Sequence, residues 1–101
     1  MVMMGRRGAP GFNITTLPYR VRVYQNYQVL IPASLARALG ITRLKYATVT
    51  IRYGDNVEVL KNVKLLRTRH TDSRQFTIPK EVREKMGIKA GDYVEVLSIK
   101  P

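Results

Sequence analysis

The chain reads as mostly β with two short helices, and three observations carry that reading. Apolar and polar residues alternate through Tyr19–Tyr24, Tyr46–Tyr53 and Tyr93–Ile99, the period of half-buried strands. Two stretches, Pro32 to Gly40 and Pro79 to Gly87, each hold a two-turn helix between a proline and a glycine. The third observation is an internal repeat, spaced 47 residues apart (79 − 32 = 47). Gln28, Ile31, Pro32, Gly40, Ile41, Tyr46 and Val49 stand where Gln75, Ile78, Pro79, Gly87, Ile88, Tyr93 and Val96 stand. On the same spacing Arg20 and Arg22 match Arg67 and Arg69. A repeat of this length is one supersecondary unit used twice.

Taken in order, residues 1–12 form a Gly- and Arg-rich basic tail containing Arg6 and Arg7. Residues 13–101 then form one domain of two repeats, about 20–61 and 63–99. Phe12–Leu17 is expected to be an extra edge strand that closes the sheet. In Tyr19–Tyr24, Val21 and Val23 point one way and Arg20, Arg22 and Tyr24 the other, so the arginines lie off the core. Gln25, Asn26 and Tyr27 turn the chain, and Gln28–Ile31 returns. Pro32 lacks an N–H, which suits the first turn of a helix, and the alanines that follow favour helix. Leu35 and Leu39 occupy the stripe positions held by Val82 and Met86 in the second repeat. Gly54-Asp55-Asn56 between alternating runs marks a hairpin, with Val57–Lys61 as the returning strand. Val63–Thr71 is then expected to open the second repeat. His70 to Arg74 follows as a polar turn, Gln75–Ile78 as a short strand and Ile78, Val82 and Met86 as an apolar helix stripe. Leu44 and Lys45 stand where the second repeat has Gly91 and Asp92, so the first repeat lacks the Gly-Asp signal for that tight turn while keeping the pattern of the fold.

Charge narrows the partner. The formal net charge is +11, which points to a polyanion, nucleic acid before an anionic membrane. All seven acidic residues follow Gly54, whereas the first 54 residues carry only bases. That half is read as a binding surface. There is no cysteine, so no disulfide and no thiolate site. No apolar run approaches a membrane span, and the basic N-terminus lacks an apolar signal core, so a cytoplasmic protein is expected. The lone histidine, His70, has Asp72 and Ser73 beside it in one turn. Three polar residues in one turn are turn chemistry before they are a catalytic triad or a metal site, so neither enzyme activity nor a cofactor is expected.

The combination of Gln75, Thr77, Ile78, Pro79, Lys80, Arg83, Gly87, Ile88, Gly91, Asp92 and Val94 resembles the AbrB/SpoVT/MazE family of swapped-hairpin DNA-binding domains. With the first repeat, the resemblance spans about residues 20–99 and suggests a tandem, archaeal-type form. It implies a small swapped-hairpin barrel, here closed within one chain as a pseudo-dimer, so that the protein is a monomer or a weak dimer. It also implies where nucleic acid is contacted: Arg20, Arg22, Arg67 and Arg69 on the first strands, Tyr27, Gln28, Arg74 and Gln75 at the turns, and Arg37 and Arg83 on the helices. Arg6 and Arg7 in the tail are added as an arm toward a phosphate backbone. The function implied is binding of double-stranded DNA by a transcription regulator or chromatin-type protein, nucleoid-associated. An RNA-binding or ribosome-associated protein is the first alternative, because small size, strong positive charge and a Gly/Arg tail suit folded RNA. An antitoxin-like module that binds a protein is the second. Because the second-repeat helix carries Glu81 and Glu84, the first repeat is expected to bind more tightly.

Overall fold

The computed structural model describes residues 14–68 and 70–101. The alternating runs form strands β1 (Tyr19–Arg22), β2 (Gln28–Ile31), β3 (Tyr46–Tyr53), β4 (Asn56–Lys64), β5 (Leu66–Arg67), β6 (Arg74–Thr77) and β7 (Tyr93–Lys100). The two Pro–Gly stretches form α1 (Ala33–Leu39) and α2 (Lys80–Met86). Both helices start after a proline and stop at a left-handed glycine, Gly40 at φ 70° and Gly87 at φ 74°. Helices and long strands keep the repeat spacing: 33 + 47 = 80, 39 + 47 = 86, 46 + 47 = 93 and 53 + 47 = 100.

The strands make two antiparallel sheets, ordered β1-β7-β3-β4 and β2-β6-β5. Their facing sides share one core, with Val23, Val29, Ile31, Leu35, Ile51, Phe76, Ile78, Val94 and Val96 fully or almost fully buried. The helices are too short to be stable alone and are held by that core. Leu35 and Ala36 of α1 and Met86 of α2 are buried, while Leu39 and Val82 are partly buried against them.

Pairing of β2 with β6 runs from Gln28↔Thr77 to Ile31↔Arg74, and pairing of β3 with β7 from Thr48↔Lys100 to Arg52↔Glu95. Each sheet thus joins corresponding strands of the two repeats. The closed barrel is not formed by backbone pairing among the described residues. Strand β1 spends its ladder bonds on β7, from Tyr19↔Val96 to Arg22↔Tyr93. The sheets connect instead through Tyr24 N–H to Gln28 O at 3.0 Å and Tyr19 Oη to Leu30 O at 2.6 Å. Burial pushes the Tyr19 phenol pKa well above its ordinary value, so it stays a donor.

Three further differences matter for the site. Strand β4 does not stop at Lys61 but runs to Lys64. Asn62 takes a left-handed φ of 59°, and the β3–β4 register shifts by one between Ala47 and Val49. That bulge lets the strand bend and go on pairing. Val63 and Lys64 therefore end β4, and of the strand expected over Val63–Thr71 only Leu66–Arg67 pairs. Second, Ile14–Leu17 is not a strand; Ile14 O accepts a 2.7 Å bond from Ser34 Oγ, and Ile14 and Leu17 pack on the core. Phe12 lies outside the described residues. Third, the first repeat does turn at Leu44, whose N–H donates to Ile41 O at 3.0 Å.

Candidate nucleic-acid interface

Strand β1 decides where the first arginines go. Tyr19 and Val23 turn inward, so Arg20 and Arg22 stand on the outer face. The neighbouring strand β7 presents Tyr93 there, 48% exposed. Arg20 lies over its ring, 4.3 Å from the centroid, a geometry in which the guanidinium rests on the negative face of the π system. Arg22 is the Cα partner of Tyr93. It lines a groove with Val23, Tyr24, Gln25, Ala90 and Gly91.

A second cluster forms at the turn into β2. Tyr27 has φ 61°, uncommon for a non-glycine residue, and its carbonyl accepts from Ile78 N–H at 2.9 Å. The Arg83 guanidinium of α2 covers its ring at 3.9 Å. Together with Glu84, Gly87, Ile88 and Lys89 they line an open groove. Gln28 is steadied by Asn26, whose Nδ2 donates to Gln28 Oε1 at 2.9 Å. Tyr27, Gln28 and Arg83, expected from the sequence, are thus brought close together.

Other expected residues are placed differently. Arg74 is only 6% exposed. Its guanidinium donates to Thr42 O at 2.7 Å, Ser73 O at 2.9 Å and Thr71 O at 3.5 Å. It ties the polar turn to the loop after α1 and presents nothing to a partner. Arg37 is exposed but paired with Asp72 at 3.1 Å. Gln75 is half-buried in β6, paired on one side with Leu30 and on the other with Leu66. Arg67 is exposed on β5, opposite Arg74. Arg6, Arg7 and Arg69 lie outside the described residues.

The strand register brings forward residues that a gapless repeat missed. Arg22 faces Tyr93, and Lys64 faces Tyr46, which is the equivalent of Tyr93 (46 + 47 = 93). Val21 faces Val94 as Val63 faces Ala47, and Tyr19 faces Val96 as Leu60 faces Val49. Burial agrees: Tyr19 and Leu60 are buried, as are Val23 and Leu65. The bond from Val23 N–H to Asp92 O, 2.8 Å, has its counterpart from Leu65 N–H to Lys45 O, 2.8 Å. Lys64 is therefore the counterpart of Arg22, and Lys61, beside the Asn62 bulge, the counterpart of Arg20. The spacing there is 42 (64 − 22 = 42), because ten residues separate Leu65 from Gln75 (75 − 65) where five separate Val23 from Gln28 (28 − 23). The signal in the sequence is the apolar spacing Leu60, Val63, Leu65 against Tyr19, Val21, Val23, with one residue inserted.

Three acidic groups near this face are occupied. Glu95 pairs with Arg52, Glu58 with Lys85 at 3.1 Å, and Asp92 accepts from Tyr53 Oη at 2.6 Å. Arg20, Arg22, Lys61 and Lys64 have no carboxylate within ion-pair distance among the described residues. Those residues also contain no group of three or more His, Cys, Asp or Glu placed to hold a metal ion, and no helix long and apolar enough to cross a membrane.

The family described as antidote-toxin recognition MazE, a bacterial antitoxin, matches residues 67–100, from the end of β5 through β6, α2 and β7. No curated protein matches the chain significantly. Among solved structures, the solution structure of PHS018 from Pyrococcus horikoshii is similar, with 22% identity and a TM-score of 0.56 over 83% of this chain and 92% of that chain. That likeness is one of fold.

Proposed function

We propose that this chain binds double-stranded DNA with the outer face of the β1-β7-β3-β4 sheet, as a regulator or chromatin-type protein. The observation that carries the reading is the Arg20–Arg22–Tyr93 cluster: two exposed guanidinium groups on one strand, neither held in an ion pair among the described residues, beside an exposed ring. Arginine forks suit phosphate oxygens and guanine edges, and a strand holds them at fixed spacing. The net charge of +11 supplies the long-range attraction. The two repeats act as the halves of a pseudo-dimer within one chain, in the swapped-hairpin manner that the resemblance implies. The match to a MazE-type domain supports this reading, because that family includes DNA-binding regulators.

The same match favours a second reading, recognition of a toxin-like protein partner. Affinity capture from a lysate of the source cells, with the bound material split between DNase, RNase and protease treatments, separates the two. Protein-free DNA fragments recovered with the chain support the first reading. A stoichiometric protein partner resistant to DNase supports the second, and RNase-sensitive capture overturns both.

A further inference from the structure

The register of the four-stranded sheet pairs equivalent positions of the two repeats on its outer face, and the second set of positions also carries cations. We infer that Lys61 and Lys64 form a second phosphate-binding cluster, the counterpart of Arg20 and Arg22, and that the two clusters engage opposite strands of one duplex. The inference rests on the DNA-binding reading and adds to it the residues of the other half-site.

Four relationships carry it. Arg22↔Tyr93 and Lys64↔Tyr46 are equivalent Cα pairs, and both tyrosines are about half exposed, 48% and 49%. Tyr19↔Val96 and Leu60↔Val49 bury equivalent positions beneath them. Lys61, Asn62 and Lys64 are all exposed, as Arg20 and Arg22 are. Beside Lys61 and Lys64, strand β3 carries Thr48 where β7 carries Glu95, so the second half lacks an acid that the first half has.

The placement suits a duplex. Strands β3 and β7 run antiparallel, so the clusters lie at diagonally opposite corners of the sheet. Strand rise and strand spacing put them on the order of 25 Å apart. That separation exceeds the width of a duplex groove and reaches phosphates on both strands. The antiparallel relation of the clusters matches the antiparallel relation of the strands they would touch. Arg67, related to Arg20 by 47 in the gapless repeat, does not make this pair. Arg67 lies on β5, in the other sheet.

The test measures log affinity against log salt for a mixed-sequence 30-bp duplex. Each phosphate contact contributes about 0.9 to the slope. Lys61→Ala with Lys64→Ala should flatten the slope by about 1.8, as should Arg20→Ala with Arg22→Ala, with melting temperatures little changed. Combining the four changes should flatten it by about 3.6. Arg67→Ala should leave it nearly unchanged. Lys61→Gln with Lys64→Gln repeats the measurement while keeping long side chains on the strand. If the lysine variants keep the wild-type slope while the arginine variant flattens it, the second cluster is refuted and the DNA-binding face stands. If Arg67→Ala flattens the slope and the lysine variants do not, the gapless pairing is right and this one is wrong. If no pair changes the slope, the face itself is wrong and the inference falls with it.

Discussion

Tyr53 Oη donates a 2.6 Å hydrogen bond to Asp92 Oδ2, joining the end of β3 to the start of β7. The same carboxylate oxygen accepts from Lys89 N–H at 2.9 Å, and the Asp92 backbone accepts from Val23 N–H at 2.8 Å. One aspartate thus fixes the two central strands and the end of β1, the strand that carries Arg20 and Arg22. The first repeat has Lys45 at the equivalent position, so the clasp exists on one side only.

The clasp has a pH signature. The Tyr53 hydrogen bond, then the Lys89 N–H, hold the Asp92 carboxyl below the ordinary carboxylate range. The bond to Asp92 raises the Tyr53 phenol above its usual value. A depressed carboxyl contributes stability that is present above its unfolded pKa and lost as pH falls through the folded one. A raised phenol contributes stability that is present below its unfolded pKa and lost as pH rises through the folded one. The stability difference between wild type and Tyr53→Phe should therefore be flat from about pH 5 to 9 and shrink on both sides. Denaturant melts across pH measure it, and a difference independent of pH would mean that the bond is not made in solution.

Arg74 should behave as a structural residue. Arg74→Ala removes the guanidinium that donates to the carbonyls of Thr42, Ser73 and Thr71, of which Ser73 O keeps the Thr68 N–H and hydroxyl. Removing a buried charged donor of this kind should cost about 2–3 kcal/mol. The slope of DNA affinity against salt should be unchanged once the variant is folded. Chemical denaturation and a salt titration on the same sample check both halves of this statement.

Leu35 anchors α1 in the core and is fully buried, whereas Leu39 on the same helix is only partly so. Leu35→Ala should destabilise by about 3 kcal/mol, within the range for a large-to-small core change. Leu39→Ala should cost clearly less. Equal effects from the two would show that the helix presents a different face to the sheets.

Much of the fold was legible because its signals are local. Pro32–Gly40 and Pro79–Gly87 mark both helices through backbone chemistry alone, and the alternation at Tyr46–Tyr53 needs only neighbouring residues. Arg74 was not legible, because its burial depends on the Thr42 carbonyl, 32 positions away in sequence. A polar turn in a basic chain reads as surface. The second basic cluster was hidden for a different reason. Asn62 in a left-handed conformation keeps β4 going through what reads as a linker, and the longer connection from Leu65 to Gln75 breaks the 47-residue spacing upstream. Side-chain identity then matched Arg67 and Arg69 to Arg20 and Arg22, while backbone register matches Lys61 and Lys64. In sequence Tyr46 and Tyr93 read simply as strand residues, and the sheet order reveals that they share an exposed face with the cations.

The central claim is that a sheet face with two basic clusters grips duplex DNA, and one titration addresses it most directly. Fluorescence anisotropy of a labelled 30-bp duplex with the full chain, from 50 to 200 mM salt, reports the number of phosphates neutralised. Four contacts give a slope of about −3.6, equivalent to a loss of affinity of about 150-fold over that range, and contacts from further cations steepen it. A steep linear dependence of that size or greater is the expected result. An affinity that changes less than about threefold, or no binding to duplex DNA at 50 mM salt, corresponds to at most one phosphate contact and would contradict the account.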